Sequence, residues 1–182
     1  MKRRVPRLML LSFALLASLP AQGQRRHDPL EKDEINQLRD AMLEPDVRLK
    51  LYVTFARDRI TKLEQMRSDP KTTDRARQTH DLLADFLAIY DELNDNVDMY
   101  VGRKDDIRKP LKLVIEADTE FQSKLRALKD AANTDAIEAK QYEFLLSNAI
   151  DTVDSSADDH RSTVTEVEEY VKRKKKTSRE AK

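Results

Sequence analysis

The chain has no cysteine, no tryptophan and only two glycines in 182 residues. Without cysteine there is no disulfide, no thiol nucleophile, no lipid-modified cysteine and no covalently attached c-type haem. Without tryptophan, a membrane-interface belt or a stacking platform for sugars lacks its usual aromatic. Gly23 and Gly102 stand alone, so no glycine-rich loop exists to cradle a phosphate. Strand signals are sparse as well. Alanine, leucine and the charged residues dominate, a composition that with 3.5 to 3.6 periodicity points to long helices.

One long apolar run is present, from Leu8 to Leu19. It follows Lys2, Arg3, Arg4 and Arg7 and ends at Pro20, the order of a secretory signal peptide. Ala21 and Gly23 predict cleavage before Gln24, with residues 24–27 as a disordered start. Some 12 apolar residues reach only about 18 Å as a helix, too short for a ~30 Å hydrocarbon core. The run is therefore read as a cleaved leader and not an anchor. Arg3-Arg4 lacks the residues that follow a twin-arginine pair, so general secretion to the periplasm or beyond is expected.

Removing the leader changes the charge balance. The whole chain holds 34 bases and 34 acids, but four bases leave with residues 1–23, and 30 bases against 34 acids give −4. From Lys172 to Lys182 there are seven bases and one acid, a tail of +6, so residues 24–171 hold −10. An acidic body of this kind is not expected to coat nucleic acid.

The expected fold is all-α: an antiparallel bundle of four long amphipathic helices plus a short N-terminal helix, spanning residues 28–171, with the last helix longest and overhanging. The short helix should open with Asp28 as N-cap, Pro29 at N1 and Glu31 at N3. Its stripe is Ile35, Leu38, Met42 and Leu43. A second helix, 45–68, carries Leu49, Tyr52, Ala56, Ile60, Leu63 and Met66, widened by Val53 and Phe55 into a face that suits more than one neighbour. The third, 73–102, has a heptad seam of Leu83, Phe86, Tyr90, Leu93, Val97 and Tyr100. Past a break between Gly102 and Lys109, Leu111, Val114, Asp118, Phe121, Leu125 and Leu128 repeat that seam. Asp118 is expected near the bundle end, at water. Pro110 must lie in a first turn, where its missing amide costs nothing.

The fifth segment, 134–173, has the seam Tyr142, Leu146, Ala149, Val153, Ser156, His160, Val164, Val167 and Val171. Its middle turns polar at Ser156 and His160. Either the helix overhangs the bundle there, the simpler reading, or a polar layer is buried. Short loops make sequential helices antiparallel.

Candidate chemistry is thin. His27, His80 and His160 lack the Glu-x-x-His and His-Glu-x-x-His spacings of metal-binding helices. Asp158, Asp159 and His160 form the best metal candidate, but adjacent helical residues point in different directions; a solvated polar stretch is expected, with no metal and no cofactor. Asp46–Lys50, Asp58–Lys62, Glu120–Lys124 and Glu168–Lys172 are spaced as surface ion pairs. Tyr52, Phe55, Phe86, Tyr90, Tyr100, Phe121 and Tyr142 fall on or near apolar stripes and are expected to pack in the core. No acid–base pair, nucleophile constellation or phosphate loop supports an enzyme.

The basic tail, with Lys172, Arg173, Lys174, Lys175, Lys176 and Arg179, is the least ordinary feature. It suits contact with an anionic lipid or envelope polymer, although bases also complement a helix C-terminus. The expected role is a non-enzymatic interaction or scaffold module of the cell envelope, with another protein or envelope component as partner. In size, leader and helical hairpins the chain also loosely resembles small periplasmic chaperones, without the Leu-Thr-x-x-Gln repeats of that class. A bundle that binds a small ligand or metal is the third expectation.

Overall fold

The computed structural model describes residues 28–132 and 136–180, with side chains described through residue 177. The leader and the start at 24–27, with His27, lie outside the described residues. Among those described, the chain is all-α: six helices and no strand. They are α1 (Lys32–Asp40), α2 (Pro45–Ser68), α3 (Arg75–Gly102), α4 (Arg108–Ala132), α5 (Ala136–Ala139) and α6 (Glu143–Glu180).

Local chemistry explains most boundaries. Helix α1 starts later than Asp28 suggests: the Asp28 carboxylate accepts from the Leu30 amide at 3.0 Å, shaping a turn, and Glu31 is the N-cap. Its amide is satisfied at 2.8 Å by Glu34, three residues on. Pro45 opens α2 with its fixed φ. Helix α3 ends in a Schellman motif: the Asp105 amide reaches Tyr100 O at 3.0 Å and the Lys104 amide reaches Val101 O at 2.9 Å. The left-handed position in that motif is Lys104, with φ 62, not Gly102. Pro110 sits in the first turn of α4.

Ion pairs and hydrogen bonds give the register of the long helices. Arg48, early in α2, donates to Asn96, late in α3, at 2.8 Å, while Arg67, late in α2, donates to Thr79, early in α3, at 3.0 Å. The two helices run in opposite senses. So do α4 and α6, joined by Lys112–Glu168 at 3.9 Å and Arg126–Asp154 at 2.7 Å. Helices α2 and α4 lie side by side in the same sense, through Arg57–Glu120 at 2.8 Å and Lys124–Glu64 at 2.6 Å. Thus Glu120 and Lys124, spaced to pair with each other along α4, each turn to α2 instead. Asp58–Lys62 does pair along its helix, at 2.9 Å.

The α3 seam is fully buried; Phe86 and Tyr90 stack, and Phe121 meets both edge-on, with centroids 5.2 to 6.0 Å apart. Each such aromatic pair adds about 1 kcal/mol beyond area burial. The wide face of α2 meets α1, α3 and α4. The stripe of α1 is narrower than its spacing suggests, because Leu38 and Ala41 are buried while Ile35, Met42 and Leu43 are exposed. What fastens α1 is polar. Glu34 forms a bidentate pair with Arg59, buried on both sides, and Arg59 also donates to Pro29 O at 2.7 Å.

The segment expected as one helix over 134–173 is divided. The single turn α5 and a turn at residues 140–142 precede α6. Arg67 explains the division: it pairs with Glu138 of α5 at 2.6 Å and lies over the Tyr142 ring at 5.5 Å, folding this corner onto the end of α2. Helix α6, 38 residues, is about 57 Å long by its rise per residue.

Candidate functional site

The polar interruption of α6 packs against its neighbours and does not overhang: His160 is buried and Ser156 half-buried. Val153 and Ala157 are inaccessible, His160 is 4% exposed and Val167 is buried further along. Asp118, expected near water, is fully buried. The two meet: His160 Nδ1 lies 2.9 Å from Asp118 Oδ2, and the Tyr90 hydroxyl donates to Asp118 Oδ1 at 2.7 Å. Asn94 donates to Ser156 at 2.9 Å beside them. A carboxylate only accepts, so with Asp118 ionised His160 carries a proton on Nδ1. This network joins α3, α4 and α6 at one level.

Burial, followed by the charge of Asp118 and the hydrogen bond to it, raises the Tyr90 pKa well above the tyrosine range. Its phenol therefore stays a donor. Breaking such a buried network leaves desolvated groups without partners, which costs more than the network stabilises over an apolar core. Tyr90, Asp118 and His160 are closed off from solvent while Asn94 and Ser156 are half-buried, so the arrangement ties three helices in one register.

Of the candidate metal residues, only His160 points inward. Asp158 is exposed and pairs with Arg161 at 3.0 Å, and Asp159 is exposed. The three are not brought together, and no group of three or more potential ligands occurs among the described residues. His80 is exposed beside Asp81.

The basic candidates lie where α6 leaves its neighbours. Lys172, Arg173, Lys174, Lys175 and Lys176 are consecutive, helical and exposed; Arg179 lies on the same helix. This run of exposed bases begins after Val171, about three turns beyond the Ser156–His160 stretch expected to overhang. Beside its root stands the α3–α4 corner. Lys104 lies 5.9 Å over the Tyr170 ring, and a hollow of about 330 Å³ beside it is rimmed by Lys104 and Arg173 and by the acids Asp105, Glu166 and Glu169. Arg108 pairs with Asp106 at 2.6 Å. The Asp106 carboxyl is held below its ordinary pKa, first by that hydrogen bond and also by the charge of Lys175.

Three arginines escaped the sequence reading: Arg48, Arg59 and Arg67. For Arg59 a signal exists, since Tyr52, Ala56, Arg59 and Leu63 follow steps of four, three and four along the buried face of α2. A charge at a stripe position marks a buried partner elsewhere, here Glu34. Burial opposes the Arg59 charge, but the hydrogen bonds and charge of Glu34 hold its pKa above the usual arginine value.

No family model, curated protein or solved structure matches this chain.

Proposed function

We propose that the chain is an exported, non-enzymatic interaction module of the cell envelope. In this reading the four long helices form one antiparallel bundle, an acidic body that carries a basic helical arm to an anionic envelope component. One observation supports it above the others: α6 continues past the α3–α4 corner as a helix with five consecutive exposed bases, Lys172 to Lys176. A frayed end would not hold these charges in a fixed array. At an anionic surface each base is worth about 1 kcal/mol, so five suffice for reversible attachment.

The test is site-specific photocrosslinking from Thr177 in the native host. The module reading expects a discrete adduct with an envelope component; a chain that crosslinks only to solvent-borne bulk protein would refute it.

A second reading, a small periplasmic chaperone, draws on the exposed Ile137 and Phe144 at the α5–α6 corner, 83% and 86% accessible. Apolar side chains so open at one corner offer a contact for an unfolding client. Aggregation assays with a Phe144→Ser variant test it, since the chaperone reading requires both suppression by the native chain and its loss in the variant.

A further inference from the structure

We infer that the basic end of the molecule is a composite site for a flexible linear polyanion, made jointly by the α6 extension and the α3–α4 corner. This rests on the reading of the extension as an anion-binding element and names both its second half and its ligand class. The two parts are neighbours in space, as the contact of Lys104 with Tyr170 and the hollow shared by Lys104 and Arg173 show. The corner adds charge. Residues 103–112 hold five bases, Arg103, Lys104, Arg108, Lys109 and Lys112, against Asp105 and Asp106, a net +3. Arg103 and Arg108 spend part of theirs on those acids, at 3.3 and 2.6 Å, which leaves Lys104 and Lys109 as the corner's contribution.

The shape of the charge decides between ligands. At about 100° per residue, Lys172 to Lys176 point around the whole circumference of α6 and leave no uncharged face. A planar membrane meets one side of a helix and wastes the rest, whereas a flexible chain of anions wraps it and continues across the adjacent corner. Residues 172–177 also contain no apolar side chain to enter a bilayer. The acidic body, −10 over residues 24–171, repels a polyanion elsewhere and confines it to this end.

The experiment measures binding of the purified chain, expressed with its native N-terminus, to fluorescently labelled polyphosphate and, separately, to phosphatidylglycerol vesicles. Polyphosphate should bind, with affinity falling roughly 100-fold between 50 and 200 mM salt, as release of counterions from about five contacts requires. The pair Lys172→Glu and Lys175→Glu should weaken binding at least tenfold. The pair Lys104→Asn and Lys109→Glu should weaken it several-fold, each variant retaining the helical circular dichroism of the parent. Full affinity in the corner variant would overturn the composite site. Binding to vesicles but not to polyphosphate would overturn the ligand class while leaving the arm as an anion-binding element. Failure of the intact chain to bind either would overturn both.

Discussion

Asp118 Oδ2 lies 2.9 Å from His160 Nδ1, deep between α4 and α6, with the other carboxylate oxygen occupied by Tyr90. Asp118→Ala leaves a phenol and an imidazole buried without their acceptor, so it should cost about 3 to 5 kcal/mol in chemical denaturation. The triple replacement Tyr90→Phe, Asp118→Leu, His160→Leu removes every member together. It should recover most of that loss. A cost below 1 kcal/mol for Asp118→Ala would show that the network does not hold the helices.

Tyr90, Tyr52 and Tyr100 all have pKa values raised first by burial. For a raised folded-state pKa the stabilisation is fully present below the unfolded value, about 10, and is lost as pH rises toward the folded value. Alkaline titration by ultraviolet absorbance should therefore ionise only part of the five tyrosines before unfolding, and stability should fall above about pH 10. Five phenols titrating together near the ordinary value would contradict this.

How much of this was legible beforehand differs by element. The α3 seam follows from spacing alone, because six residues at steps of three and four can share only one face. Asp118, Ser156 and His160 were also visible as polar intruders on two seams. Their meeting was not, since periodicity reports which face a residue occupies and not its height against another helix. That height depends on where α4 and α6 begin, and the turn at residues 140–142, set by Arg67 and Glu138, is a tertiary effect. The Arg59–Glu34 pair was hidden for the same reason: its partners are 25 residues apart on two helices.

Glu34→Ala should release α1 rather than unfold the chain, because Arg59 gains water once α1 lifts. Hydrogen exchange should show α1 amides exchanging faster by on the order of 100-fold, about 3 kcal/mol, with the α3 seam unchanged. Undiminished protection in α1 would argue that the remaining contacts, buried Leu38 and Ala41 with the Arg48 donation to Leu38 O at 2.5 Å, dock it without Glu34.

Lys104 occupies the left-handed position of the Schellman turn with φ 62. Lys104→Gly relieves a cost of about 1 kcal/mol, and thermal denaturation should show a gain of that order. A loss in its place would mean that the Lys104–Tyr170 contact outweighs the backbone strain.

The claim that the arm of α6 attaches an acidic helical body to the envelope is tested most directly by fractionation of the native host. The chain lacking residues 172–182 is compared with the intact one at low salt. The account predicts that the intact chain sediments with the envelope fraction and is released by salt, while the truncated chain stays in the soluble fraction. Equal sedimentation of the two would contradict it.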